Sequence, residues 1–265
     1  MPNWKLSTRN IIGLSLTLLM LVQLFALPII ADPSYGISPY YTYIYIIFSY
    51  LAISAIIFLE INNLNEFHID RISLWLFIIT CFVRSRLGLN NEIIYLLPLM
   101  LIGLANFFQV VRHPSSIPRT IGKTILHGVI LAGITVVVIT VIESFQASNW
   151  LNPIYSNNVV VNLFRQLIFQ LSFIVLIEEI VFRGFLTGYL IKIGLKEKTA
   201  FTIQALLYWL VHYTRSDNLI SFYISIPILA WSTSFIVKRH KQLTASIIVH
   251  TTVNVFTGLL INIWF

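Results

Sequence analysis

The sequence predicts an all-α fold, a polytopic bundle of transmembrane helices. Of its 265 residues, 57% are hydrophobic and only 10% are charged, whereas a soluble domain carries roughly 25% charged residues. The mean hydropathy is +0.85. The apolar residues also form long runs, and several reach the roughly 17–25 residues that a spanning helix needs. These observations exclude an ordinary soluble domain.

Nine apolar segments follow one another along the chain, and we expect eight or nine of them to cross the membrane. The first follows Lys5 and Arg9. It is longer than a signal-peptide core and lacks a small-x-small cleavage site, so we interpret it as a retained span. The third and seventh segments are short for a span. The segments are Ile11–Ala31, Tyr41–Ile61, Ile72–Val83, Ile93–Val111, Ile125–Ile142, Leu167–Ile193, Ala200–Tyr213, Leu219–Val237 and Leu243–Trp264.

The distribution of Lys and Arg predicts the orientation. With a cytoplasmic N-terminus and nine crossings, most of these residues fall in cytoplasmic loops, as the positive-inside rule requires. Arg84 and Arg86 are exceptions on the outer side. The net charge of +7 then suits an anionic leaflet, and we expect no nucleic-acid partner. We therefore predict a multi-pass integral membrane protein, and the short loops and compact length favour a bacterial cell membrane.

The chain is expected to form one membrane domain with two parts. Residues 1–160 are typical of generic transmembrane helices, and residues 161–265 form a helix core that carries the polar motifs. The single cysteine, Cys81, lies in an apolar run and is interpreted as a buried small hydrophobic residue. Three histidines fall in loops and are expected to be solvated, namely His68, His113 and His240.

Two adjacent glutamates, Glu178 and Glu179, lie inside a long apolar stretch. Ionisable groups at membrane depth are unfavourable, so they indicate a functional site. Arg183 follows Glu179 by four residues, and the two can pair on one helix face. Glu178 points about 100° away, toward a different neighbour. One carboxylate is then neutralised by the arginine, while the other can act as a general base.

Helix rise predicts further polar groups at the same depth. Glu178 and His212 lie eighteen residues before and sixteen residues after the midpoint of the turn Gly194–Lys198, so both lie at a similar depth, about 25 Å from it. Asn254 and His250 lie about 20 Å and 13 Å into the last segment. A carboxylate beside a histidine can activate a water, and a second histidine with an amide can stabilise an oxyanion. The pattern indicates hydrolysis inside a membrane.

These residues resemble the CPBP family, which comprises CAAX prenyl endopeptidases and bacteriocin-processing or immunity proteins and is also called Abi. The resemblance covers roughly Leu167–Phe265. It depends on three motifs in order: E-E-x-x-x-R at Glu178, Glu179 and Arg183, then x-x-x-H ending at His212, then H-x-x-x-N at His250 and Asn254.

The resemblance implies an intramembrane endopeptidase with Glu178 as the catalytic base and His212 as its partner. It implies that His250 and Asn254 stabilise the oxyanion, with Glu179 and Arg183 in supporting roles. One position departs from the family pattern. Four residues before His212, where the family usually has Phe, this chain has Tyr208, which keeps the aromatic ring and adds a hydroxyl.

The sequence leaves a metal open. Glu178, His212 and His250 are residue types that could hold zinc with an open fourth position. The chain has no HExxH motif, and a metal-free glutamate mechanism needs the same residues; we slightly favour the metal-free form.

The expected partners are the lipid bilayer and a peptide or protein substrate in the membrane. Two other functions stay open: bacteriocin self-immunity, by catalysis or by binding alone, and a non-catalytic membrane scaffold. A transporter is less favoured, because no internal repeat is visible.

Overall fold

The structure is a computed structural model that describes residues 7–30, 40–87, 96–113, 121–144, 159–214 and 219–264. Within these ranges all regular secondary structure is helical and no strand occurs, which confirms the predicted all-α class. Lys5 and residues 145–158 lie outside the described residues. The orientation, including the cytoplasmic N-terminus, stays a prediction.

Nine helical segments occupy the described ranges, and each overlaps one of the nine predicted apolar segments. A 3₁₀ helix, Ile61–Phe67, extends the second segment, and another, His212–Thr214, extends the seventh. The segments are α1 (Thr8–Ile30), α2 (Tyr40–Glu60), α3 (Arg71–Leu87), α4 (Leu96–Arg112), α5 (Ile121–Ser144), α6 (159–192), α7 (Glu197–Val211), α8 (Ser221–His240) and α9 (Leu243–Trp264).

Three of these helices are long and apolar enough to cross a membrane: Ile44–Phe67, Ile121–Ser144 and Ser221–His240. Four shorter apolar helices accompany them among the described residues. Apolar helices of this kind point to an integral membrane protein, whereas the predicted number of eight or nine crossings stays a prediction.

Helix α6 changes its hydrogen-bonding pattern four times along its length. Two π-helical stretches, Gln170–Ile174 and Glu179–Leu186, interrupt the α-helical parts. A π-helix closes its hydrogen bonds from i to i+5, and such stretches are frequent at functional sites. The second stretch begins between Glu178 and Glu179, so the two glutamates stand at a local change in helix winding.

Helix α6 also occupies the centre of the bundle. Every residue from 175 to 189 is buried, and a helix that is buried on all sides must be surrounded by other helices. Its neighbours include α1, α7 and α9. Elsewhere in the bundle, α5 and α9 approach each other closely. Gly128 in α5 makes this possible, because a Cβ at that position would lie only 3.3 Å from the Ala245 carbonyl oxygen in α9.

One carboxylate, Asp70, caps two helices. Its Oδ1 accepts hydrogen bonds from the backbone N–H groups of Ile72 and Ser73, both at 3.0 Å, and so caps the start of α3. Its Oδ2 accepts the N–H of Thr244 at 2.9 Å, in the first turn of α9. The His68 carbonyl accepts the N–H of Leu243 at 2.9 Å. The turn before α3 therefore fixes the beginning of α9.

Two of the loop histidines differ from expectation. His68 is buried, with its ring stacked on Phe201 at 5.8 Å between centroids, because the turn that carries it folds against α7. Burial, and secondarily the Lys241 cation, lower the pKa of His68 to about 4. His240 is half-buried, and its Nε2 lies 3.0 Å from His127 Nδ1. The predictions that His68 and His240 are solvated are therefore wrong.

Two other predictions on single side chains are confirmed. His113 is exposed, as expected for a loop residue. Cys81 is fully buried, as expected for a small hydrophobic residue in an apolar run.

A second buried carboxylate, Glu60, ties three helices together at one end of the bundle. Glu60 is completely buried at the end of α2. Its oxygens lie 3.4 Å from Arg9 Nε in α1 and 3.0 Å from Lys192 Nζ in α6. Two cations from different helices therefore compensate its charge and hold α1 and α2 against α6.

Candidate active site

Three helices bring Glu178, His212 and His250 together. Glu178 comes from α6, His212 directly follows α7, and His250 comes from α9. The Oε2 atom of Glu178 lies 3.9 Å from the Nε2 atom of His212 and 3.9 Å from that of His250. Glu178 and His212, which were predicted to lie at the same depth, are therefore close together. His250 is equally close to Glu178, although the helix rise placed it at a different depth.

His212 has a defined tautomer in its neutral form. Its Nδ1 lies 2.7 Å from the backbone carbonyl oxygen of Tyr208. Because a carbonyl oxygen only accepts hydrogen bonds, Nδ1 carries the hydrogen, and Nε2 presents a lone pair toward Glu178. The separation of 3.9 Å is too long for a direct hydrogen bond, but a water between the two acceptors can donate one hydrogen to each.

Glu179 holds the other side of His250. Its Oε1 lies 2.7 Å from His250 Nδ1 and 3.2 Å from Arg183 Nη1. The predicted pairing of Glu179 with Arg183 is thus confirmed, and both side chains are completely buried. Arg183 Nη2 also donates to Thr233 Oγ1 at 2.6 Å. The ion pair keeps the carboxylate as an acceptor, so His250 Nδ1 carries the hydrogen.

Tyr208 connects the two sides of the site. Its hydroxyl lies 3.1 Å from His250 Nε2. Because His250 carries its hydrogen on Nδ1, the tyrosine donates and Nε2 accepts. The same hydroxyl interacts with Glu178, and the Arg183 guanidinium carbon lies 3.9 Å from the centre of the Tyr208 ring. The hydroxyl that distinguishes Tyr208 from the usual Phe therefore lies at the centre of the polar cluster.

Asn254 faces the same helix as His250, as the i,i+4 spacing predicts, but it contacts a residue that the sequence interpretation missed. Its Nδ2 donates to the Oε1 of Gln170 at 3.0 Å. Gln170 begins the first π stretch of α6. The sequence did contain a signal for this contact, because Gln170 is a polar residue in an apolar run, two turns before Glu178. The contact accounts for one of the two amide hydrogens of Asn254.

The proposed metal ligands are too far apart for tetrahedral zinc. Among the described residues, no group of three His, Cys, Asp or Glu side chains is arranged to hold a metal ion. The Oε2 atom of Glu178 lies 3.9 Å from the Nε2 atom of each histidine. Bond lengths of about 2.0–2.2 Å place tetrahedral ligand atoms roughly 3.3 Å apart. In this arrangement the three side chains do not fit a bound zinc ion.

The site is more open on the side of His212 than on the side of Glu178. Helix α7 has 15 residues and is about 22 Å long, shorter than a hydrocarbon core of about 30 Å. His212 follows its end and is half-buried, and the next residue, Tyr213, is 69% exposed. Glu178 and His250 are buried. Water and a substrate backbone can therefore approach from the His212 side.

The family model described as type II CAAX prenyl endopeptidase Rce1-like matches residues 160–256. No curated protein and no solved structure matches the chain. The matched range contains all of the polar residues that carry the predicted resemblance, which are Glu178, Glu179, Arg183, Tyr208, His212, His250 and Asn254. The resemblance to CAAX prenyl endopeptidases that the motifs predict is confirmed for residues 160–256.

Proposed function

We propose that this protein is an intramembrane endopeptidase that hydrolyses a peptide bond of a membrane-associated peptide or protein. The observation that carries the proposal is the position of Glu178 Oε2, 3.9 Å from the Nε2 atoms of both His212 and His250. The family match supports endopeptidase chemistry in general.

Glu178 and His212 activate the water in this proposal. A water between them donates one hydrogen to each side chain, which leaves its oxygen lone pairs free to attack a carbonyl carbon. As the new O–C bond forms, Glu178 accepts a proton from the water. Glu178 then gives this proton to the leaving amine as the C–N bond breaks. The Tyr208 carbonyl holds His212 in the required tautomer.

Asn254 and the Tyr208 hydroxyl donate hydrogen bonds to the oxyanion, and His250 supports them indirectly because it holds this hydroxyl in place. The Nε2 of neutral His250 accepts the Tyr208 hydroxyl, so the donor nearest to Glu178 on this side is the tyrosine O–H. As negative charge develops on the substrate oxygen, this hydroxyl turns to it, and Asn254 offers its second amide hydrogen. Glu179 and Arg183 support the arrangement, because they fix the orientation of His250.

The test is cleavage of membrane-anchored peptides by the purified protein in nanodiscs. Glu178→Gln and His212→Ala should each lower kcat by 10²-fold to 10⁴-fold, the range expected for a lost general base. Glu66→Gln is the matched control, since that side chain is 58% exposed and pairs with Lys192 away from the site. Full activity in both site variants, at normal yield and thermal stability, would overturn the assignment.

The same variants separate catalysis from binding-only roles. Cells that express wild type or Glu178→Gln can be challenged with candidate bacteriocins. Loss of protection together with loss of cleavage would tie immunity to proteolysis. Protection that persists in Glu178→Gln, with no cleavage by wild type, would instead support immunity or a scaffold by binding alone.

We also propose that the reaction needs no metal, because the three candidate ligands are spaced too widely for zinc. Elemental analysis of protein purified without chelator should find far less than one zinc per chain, and 1,10-phenanthroline should leave cleavage unchanged. Stoichiometric zinc that Glu178→Gln removes, or activity that is lost on chelation and restored by zinc, would establish the metal-dependent alternative.

A further inference from the structure

A groove of about 230 Å³ lies between α5 and α8, and none of the proposed catalytic residues lines it. Its walls are mainly aliphatic and aromatic, and two polar side chains, His127 and Arg239, complete its lining. The apolar lining residues are Ile130, Leu131, Ile134, Phe235 and Ile236.

The apolar part of the groove lies along two helices that could each span a bilayer. Both helices that form it are long and apolar enough to span a membrane. Ile130, Ile134 and Phe235 are 51%, 57% and 55% exposed, so the groove opens outward from the bundle. In a membrane such a surface contacts acyl chains. From His127 to Ile134 the groove follows α5 for about 10 Å.

The polar part of the groove lies at one end of the bundle. His127 is in the second turn of α5, and Arg239 is in the last turn of α8. The two helix ends are joined by His240, whose Nδ1 lies 3.1 Å from Thr124 Oγ1 and whose Nε2 lies 3.0 Å from His127 Nδ1. The groove therefore has an apolar body and a polar end at the edge of a predicted span.

The polar end carries an excess of positive charge. Arg239 is exposed and has no carboxylate partner in the part of the chain that the structure describes. Lys238 precedes it, and Lys123 lies one turn before His127; both are exposed. The nearby Lys241 is already paired with Glu197. A guanidinium at the border of the hydrocarbon favours a phosphate, to which it can donate two parallel hydrogen bonds.

We propose that this groove binds one anionic phospholipid. One acyl chain lies along Ile130, Ile134 and Phe235, and the phosphate lies between Arg239 and His127. Basic pockets between transmembrane helices bind anionic headgroups in this way. A choline headgroup would place a second cation beside Arg239, which lines the groove, so the site discriminates against zwitterionic lipid. The proposal does not depend on the protease assignment.

The test is lipid retention by the full chain, measured by native mass spectrometry after exposure to equal amounts of phosphatidylglycerol and phosphatidylcholine. Wild type should retain one phosphatidylglycerol in preference to phosphatidylcholine. Arg239→Gln should lower this preference roughly five-fold, the effect of one cation near a lipid phosphate. Lys238→Gln removes the same charge from a residue that does not line the groove, and it should change the preference less than two-fold.

A third variant tests the groove itself. Ile134→Trp fills the apolar body without changing charge, and it should remove the retained lipid while thermal stability in lipid-free detergent stays near that of wild type. Three outcomes would overturn the proposal: equal retention of the two lipids by wild type, equal losses in Arg239→Gln and Lys238→Gln, or undiminished retention in a folded Ile134→Trp.

Discussion

The hydrogen bond of 2.7 Å between Glu179 Oε1 and His250 Nδ1 determines which nitrogen of His250 faces Glu178. Adjacent glutamates thereby contact opposite sides of one imidazole: Glu179 through a direct bond to Nδ1, and Glu178 at 3.9 Å from Nε2. We expected Glu178 and Glu179 to face different neighbours. Glu178 does face His212, but both glutamates face His250. Glu179 therefore fixes the orientation of the imidazole that faces Glu178.

Removal of the Tyr208 hydroxyl should slow the reaction without weakening substrate binding. In Tyr208→Phe the His250 Nε2 loses its donor and the oxyanion loses one hydrogen bond. We expect kcat to fall about 10-fold to 100-fold, toward the range known for lost oxyanion donors, with KM nearly unchanged. Steady-state kinetics in nanodiscs measure both constants. Tyr223→Phe, at an exposed tyrosine outside the polar cluster, is the control. An unchanged kcat in Tyr208→Phe would place the hydroxyl outside the reaction path.

Loss of the Arg183 charge should destabilise the protein more than loss of the whole ion pair. Arg183→Leu leaves Glu179 buried without its cation, and breaking a buried pair in this way costs about 3–5 kcal/mol. The double variant Glu179→Gln/Arg183→Leu removes both charges and should recover much of that loss, while cleavage stays low because His250 has lost its anchor. Denaturant unfolding in detergent provides the double-mutant cycle. Additive effects of the two substitutions would contradict a coupled pair.

A methyl group at Gly13 should loosen the contact between α1 and α6. A Cβ there would overlap the hydroxyl end of Tyr189, which is itself completely buried. We expect Gly13→Ala to lower the free energy of unfolding by about 1–3 kcal/mol, as overpacking does. Gly133→Ala is the matched control, since a Cβ at that helical position meets nothing within 4 Å. Equal thermal midpoints for the two variants would show that α1 can shift to accommodate the methyl group without loss of stability.

The buried His68 should make the protein less stable in mild acid. Its pKa is lowered from 6.5 to about 4 in the folded chain, so between these values only the unfolded chain binds the proton. Stability is then complete above about pH 6.5 and falls by roughly 3 kcal/mol as the pH drops to 4. His68→Asn should remove this dependence, because Asn tolerates the left-handed φ of 58° found there.

The measurement is the thermal midpoint of wild type and His68→Asn from pH 7 to pH 4, where the difference between the two isolates His68 from other titrating groups. Parallel curves for the two proteins would show that His68 does not titrate differently on folding.

Much of the architecture followed from hydropathy and helix rise. All nine apolar segments coincide with helices over the described residues, because a run of apolar residues in a bilayer has few alternatives to a helix. The proximity of Glu178 and His212 followed from counting residues on either side of one turn. Antiparallel helices joined by a short turn must match in depth, so the sequence alone was sufficient for that pair.

The remaining contacts depend on tertiary structure. The angle between Glu178 and Glu179 was estimated for a regular α-helix, but a π stretch begins at Glu179, and no residue pattern announces it. Gln170 and Tyr208 could be placed only once α6, α7 and α9 were assembled. The burial of His68 likewise arises from packing against Phe201, far away in sequence.

The double cap at Asp70 bears on how this chain can be divided. The family match begins at residue 160, yet helix α9 within the matched range starts on a carboxylate contributed by Asp70. A fragment cut at the edge of the homologous region would lose that anchor at the end of the helix that carries His250 and Asn254. The part of the chain that matches the family model is thus shorter than the part that the fold holds together, and a chimaera that replaces the first half of the chain must supply an acceptor for the Thr244 N–H.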